Sequence, residues 1–260
     1  MKIGINPAVD CVFKTIFGTE SNKNLLISLI NAILENHEEE KVVEIELMNT
    51  ENQREYMQDK MSIMDIKAKN ERGEWFIIEM QISMNQYYPK RLLYYWARAY
   101  HEQIKKNQKY NLLKKVTIIS ISKSLLPIET EEYVNLFELA CWKKKKVKLC
   151  DDIAIFTIEL DRFKHEAKDL KNEIEKWTYF LKNGENLDDE KLPKQLEDKT
   201  MKQAINELKK FTMDEIQREM YESRLMAIMD EDAKLTSAHI EGEIKDRKST
   251  RLNSSHESPS

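Results

Sequence analysis

The sequence predicts an α/β core, one sheet with helices packed against it, followed by a helical region. Three observations carry this expectation. Runs of strand period and runs of helical spacing alternate along the first half, in the order helix, strand, strand, strand, helix, strand. Residues 116–121 read VTIISI, a β-branched run of the kind a strand buried on both faces shows. After Asp161 the pattern becomes helical, with Leu170, Ile174, Trp177 and Leu181 at three- and four-residue spacing.

Taken in order, residues 6–18 read as a short helix built on Phe13, Ile16 and Phe17 and stopped by Gly18. Residues 22–36 form a second helix with a wide apolar stripe of Leu25, Leu26, Leu29, Ile30 and Ile33. Residues 42–48 alternate as a strand, and 50–60 read as a polar loop or solvated extension. Residues 86–108 predict a long amphipathic helix whose stripe is Leu92, Leu93, Trp96, Tyr100 and Ile104. A strand pair is expected at 134–141 and 153–160, around the lysine run 143–146. Thr212 to Glu215 has capping-box form and would open a helix containing Ile216, Met220 and Leu225. The expected units are therefore a core at 1–160, a helical region at 161–246, and a disordered, Ser-rich tail at 247–260 that reads as a non-native scar.

Composition removes several function classes. The net charge of −4 rules out a broad basic surface, so nucleic-acid contact would use local patches. Three cysteines form no CxxC pair and five histidines show no ligand spacing, which argues against zinc. Scattered thiols suit a reducing cytoplasm. No apolar run approaches the roughly 20 residues of a membrane span, so no membrane partner is expected. With five glycines there is neither a phosphate loop nor a dinucleotide fingerprint. Carboxylates and a metal are the tools left for an enzyme.

The stretch 61–82 carries the chemistry. Two β-like runs flank a turn at Glu71 to Gly73, with Gly73 in the left-handed position. Counting outward pairs Asn70 with Glu74, Lys67 with Ile77, Asp65 with Glu79, and Ile63 with Gln81. One face then carries Met64, Ile66, Ala68, Phe76, Ile78 and Met80, all apolar. The other carries Ile63, Asp65, Lys67, Ile77, Glu79 and Gln81. Directly opposed residues have Cβ atoms about 5 Å apart, so Asp65 and Glu79 would repel unless a divalent cation sat between them. Mg²⁺ takes carboxylate oxygens and keeps waters that can act as nucleophiles. Gln81 would orient a water or substrate, and Lys67 would meet the anionic transition state. The plainer alternative is a surface ion pair between Asp65 and Lys67.

Elsewhere, Arg91, Tyr95 and Arg98 lie along one side of the long helix, either beside the site or as a surface ladder. Tyr87, Tyr88, Tyr94 and Trp96 read as core packing in preference to base stacking. The lysines at 143–146 read as a solvated hairpin tip in preference to a phosphate contact, and His101 reads as a surface residue.

Four blocks in order give a resemblance. They are D-x-V-F-K-x-x-F-G at Asp10 to Gly18, D-I-x-A at Asp65 to Ala68, G-x-x-x-x-I-E-M-Q at Gly73 to Gln81, and R-x-x-x-Y-x-x-R-x-Y at Arg91 to Tyr100. Over about residues 6–160 the chain resembles the PD-(D/E)XK nuclease family transposases, also called recombination-promoting nucleases. The resemblance implies a restriction-endonuclease-like core, a mixed central sheet flanked by helices. It implies a Mg²⁺-dependent bacterial DNA endonuclease, with Mn²⁺ as a possible substitute. It puts the metal on Asp65 and Glu79, with Asp10 assisting, the E-x-Q motif on Glu79 and Gln81, and substrate contacts on Arg91 and Arg98. The superfamily usually has Lys where this chain has Gln81, which opens the alternative of a weak or inactive relative serving as a DNA-binding or recombination accessory. The family's Gly- and Glu-rich tail is reduced to Glu241-Gly242-Glu243, as in a truncated copy. A homodimer through the C-terminal helices is the remaining partner expectation.

Overall fold

The computed structural model describes residues 2–35, 39–48, 66–188 and 190–254. One six-stranded sheet runs β1-β2-β3-β4-β6-β5. Its strands are β1 (Ile45–Leu47), β2 (Ile66–Asn70), β3 (Trp75–Gln81), β4 (Val116–Ser122), β5 (Val134–Phe137) and β6 (Ile153–Glu159). β1, β2 and β3 pair antiparallel, β3, β4 and β6 pair parallel, and β5 returns antiparallel on β6. Six α-helices accompany the sheet among the described residues: α1 (Asp10–Phe17), α2 (Lys23–Glu35), α3 (Tyr88–Glu102), α4 (Glu173–Asn183), α5 (Lys199–Met213) and α6 (Glu215–Ser254). The mixed α/β sheet flanked by helices is the architecture expected.

The β2–β3 hairpin has the predicted register. Lys67 faces Ile77 and Ile66 faces Ile78, and the Asn70 amide donates to the Glu74 carbonyl at 3.0 Å. Gly73 takes φ +82°, a left-handed value that a side chain would strain. Asn70 fixes the turn, its Oδ1 accepting from the amides of Arg72 at 3.0 Å and Glu74 at 2.9 Å.

Two cores lie on the two faces of the sheet. Ile66, Ala68, Phe76, Ile78 and Met80 join Ile119, Ile121, Phe156 and Ile158 in the larger one, against α1, α2, α4 and α5. The face read as polar is apolar at its lower end. There Ile77, Val116, Ile118 and Ile155 pack beneath α3. The division expected near residue 160 is not a gap in the core, because Ile174, Trp177, Phe180, Met201, Ile205 and Leu208 share the larger core with Phe13, Phe17 and Leu25.

Several details correct the sequence reading. α3 ends at Glu102, and its buried stripe is Tyr88, Leu92, Tyr95 and Ala99. Leu93 is 53% exposed, because the helix is rotated to put the Tyr88 hydroxyl over Glu79 and Ser120. Of the aromatic set, Tyr88 is buried, Trp96 is half-buried, and Tyr87 and Tyr94 are exposed. α5 went unread, although its stripe of Met201, Ala204, Ile205, Leu208 and Phe211 is regular and Asp198 caps its first turn, accepting from the Met201 amide at 2.9 Å. α6 is capped by Asp214, which accepts from the Gln217 amide at 3.0 Å, while Thr212 donates back to the Lys209 carbonyl at 2.7 Å. Its inward contacts are Tyr221, Leu225 and Ile228, whereas Ile216 and Met220 are exposed. α6 also continues to Ser254, into the segment expected to be disordered; no Gly or Pro interrupts 243–254 to break it. No helix among the described residues is long and apolar enough to cross a membrane.

Candidate active site

The face of the sheet under α3 changes character along the parallel strands. Registered rows run Ile77, Ile118, Ile155, then Glu79, Ser120, Thr157, then Gln81, Ser122, Glu159. Strand period two keeps these rows on one side. The polar rows therefore gather at the C-terminal ends of β3, β4 and β6, the end of an open α/β sheet where ligands bind. All six polar positions except Gln81 are buried.

Glu79 is wholly buried, so it needs charged or hydrogen-bonding company. α3 supplies it. The Tyr88 hydroxyl donates to Glu79 Oε2 at 3.5 Å and lies 2.9 Å from Ser120 Oγ. Burial first, and the Glu79 charge second, push the Tyr88 phenol far above its ordinary range, so it stays a donor. Arg91 Nη2 stands 3.7 Å from Glu79 Oε2, and the guanidinium lies 4.5 Å from the Tyr88 ring centroid and 5.8 Å from that of Tyr95. Arg91 Nε and Nη2 are buried with no hydrogen-bond partner among the described residues. The i, i+3, i+7 spacing of Tyr88, Arg91 and Tyr95 sets all three on one helix face.

Glu159, a second wholly buried acid, was not singled out in the sequence. Its Oε2 accepts from the Leu126 amide at 2.9 Å and from Arg162 Nη2 at 3.3 Å, fastening the loop after β4. The signal was present: an acid ending the strand run IAIFTIE.

The remaining candidates are dispersed. Lys67 does share the α3 side, but its ammonium meets Glu102 at 3.0 Å and lies 4.2 Å from the Trp75 ring centroid. Arg98 Nε bonds the same carboxylate at 2.9 Å. Burial works to raise the Glu102 carboxyl, yet the hydrogen bonds from Lys67 and Arg98 outweigh it and hold it below the usual carboxylate range. Asp10 opens α1, and both its oxygens accept from Arg224 Nε of α6, at 2.9 and 2.8 Å. Sequence reading missed Arg224, which lies 214 residues away. Asp10, Gln81, Ser83, Arg224 and Glu231 line a cleft of about 20 Å³, space for one water-sized group. Asp65 lies outside the described residues. Among the described residues no three His, Cys, Asp or Glu side chains are placed to hold a metal.

A family model described as PD-(D/E)XK nuclease family transposase matches residues 7–238. The chain belongs to this family. The match crosses residue 160, so α4, α5 and the first part of α6 lie within the family unit. No curated protein and no solved structure matches the chain.

The surroundings of Asp10 set a measurable difference among the three free thiols of this nuclease-family chain. Cys141 and Cys150 are exposed, while Cys11 is half-buried. Burial, and then the neighbouring Asp10 charge, push the Cys11 thiol up, reducing its thiolate fraction at any pH below that value. Iodoacetamide at pH 8 is expected to modify Cys11 about tenfold or more slowly than the other two. The Cys11 rate should keep rising as the pH is raised further. Peptide mapping by mass spectrometry reads this directly, and equal rates at all three would contradict it.

Proposed function

We propose that the chain is a metal-dependent DNA endonuclease that hydrolyses phosphodiester bonds at the C-terminal end of β3, with Asp65 and Glu79 holding the cation. Mg²⁺ is the natural ion in this reading and Mn²⁺ a substitute. The observation that carries it is Glu79, a carboxylate buried in mid-sheet at the polar end of three parallel strands, beside the half-buried Arg91. Buried charges are kept where they are paired or used. The sequence count from the Gly73 turn pairs Asp65 with Glu79, and two facing carboxylates are the donor set a hard cation takes.

When bound, such a cation supplies an acidified water and stabilises charge on the phosphate. The chain's own groups do the rest. Tyr88 donates to the Glu79 carboxylate and Arg91 stands beside it, which fixes its orientation. Arg91 Nε and Nη2, which make no hydrogen bond among the described residues, suit charge-assisted hydrogen bonds to a phosphate oxygen. Gln81 offers hydrogen bonds without charge, so in this reading Arg91 takes the role of the superfamily's lysine. Lys67 and Arg98 reach substrate only by leaving Glu102. Asp10 assists only when Arg224 releases it.

A plasmid-cleavage assay with Mg²⁺ and with Mn²⁺ tests the proposal. Wild type is expected to nick or linearise DNA in either ion and Asp65→Ala in neither; equal cutting by both would end the enzyme reading. The rival, a relative that binds DNA without cutting it, draws on Gln81 and on the Asp10–Arg224 pair, and it expects both proteins to bind and neither to cut.

A further inference from the structure

β5 ends at Phe137, yet the chain does not turn back to β6 at once. It runs outward, reverses, and returns as a two-armed ribbon. The Cys141 amide donates to the Val147 carbonyl at 2.8 Å and the Leu149 amide to the Leu139 carbonyl at 3.0 Å, with a bridge between Ala140 and Lys148. Every residue from 139 to 151 is exposed. The ribbon is held by its own backbone and touches little of the body.

Its tip is unusual in two ways. Trp142 is 88% exposed, and Leu139, Val147 and Leu149 beside it are 47%, 53% and 79% exposed. Lys143, Lys144, Lys145 and Lys146 follow directly. Lys148 is paired with Glu138 and Asp151, but none of these four makes an ion pair with a described residue. On a chain of net charge −4, four unpaired adjacent cations with an apolar, aromatic flank are a local exception.

The geometry points to this ribbon as an anchoring arm for duplex DNA, separate from the Glu79 site. A two-stranded ribbon fits a groove, lysines neutralise phosphates, and apolar side chains can wedge between base steps. A second copy of the chain or another protein would suit the apolar flank, but four adjacent cations match the dense, regular phosphate charge of a duplex, so charge decides for the polyanion. The inference takes only its polymer, DNA, from the proposed function. Because β5 runs antiparallel to β6, the arm leaves from Phe137, level with Ile155 and Ile77, about 13 Å of strand rise from the Gln81 row and toward the opposite end of the sheet.

The test is fluorescence anisotropy on a 30-base-pair duplex in EDTA, with salt varied from about 50 to 200 mM. EDTA silences cation-dependent cutting, so binding is read whether or not the chain is a nuclease. The variant K143S/K144S/K145S/K146S is expected to bind at least tenfold more weakly and to reduce the salt slope by about 3 to 4. Trp142→Ala should weaken binding about fivefold or more with the slope unchanged. Both variants should melt like wild type, since the substituted residues are exposed. The arm reading is overturned if wild type does not bind, if the four-lysine variant keeps wild-type affinity and slope, or if the variants change sedimentation and leave DNA binding intact. Wild type that binds through the arm and never cuts would overturn the nuclease reading alone.

Discussion

Glu79→Gln is expected to lower DNA cleavage roughly a hundredfold or more, the scale seen when one group that stabilises transition-state charge is removed, while the protein stays folded. The substitution keeps shape and removes one negative charge. Tyr88 can still donate to the amide oxygen. Arg91 loses its anion, but the pair stands 3.7 Å apart and a third of the arginine side chain remains exposed, so the stability cost should stay below about 2 kcal/mol. That corresponds to a melting shift of roughly 5 °C. Activity and stability are thereby decoupled. A second readout ties the loss to the cation: Mn²⁺ titrated into the variant should bind at least tenfold more weakly than to wild type, the loss that disturbing a metal site's supporting groups already causes. A variant that cuts like wild type, or that loses activity only because it unfolds, would remove Glu79 from the chemistry.

How much of this was legible beforehand depends on the range of each interaction. The β2–β3 hairpin could be counted residue by residue, because a three-residue turn with Gly73 fixes the register and period two fixes the faces. The two-carboxylate idea came from that count; its structural half rests on Glu79, since Asp65 lies outside the described residues. What could not be read was tertiary. Nothing local says that Arg224 reaches Asp10, or that the stripe of α3 is rotated toward Tyr88 and Tyr95. Leu93 is more apolar than Tyr95, and composition alone puts the wrong one inside. The sheet decides otherwise, because Glu79 and Ser120 present polar atoms that a leucine cannot satisfy and a tyrosine or arginine can.

Trp177→Ala is expected to cost about 3–5 kcal/mol and to lower the melting temperature by roughly 10 °C or more, although it lies in the helical region once expected to stand apart. The indole is fully buried. It meets Phe17 at 5.3 Å and Phe180 at 5.9 Å edge-on, and its Nε1 donates to Ser28 Oγ at 3.2 Å. Removing it opens a cavity between α1, α2 and α4 and leaves the Ser28 hydroxyl without that donor. Trp177→Phe, which keeps most of the volume, should lose only about 1–2 kcal/mol. The consequence reaches the site through α1, which carries Asp10 at its first turn and packs Phe13, Ile16 and Phe17 into the same core. A chain ended after Leu160 would expose all of that surface at once and should not fold cooperatively. If instead it melted sharply on its own, with Trp177→Ala leaving the full chain's transition unmoved, the helices after β6 would be an attachment and not part of the body that positions the site.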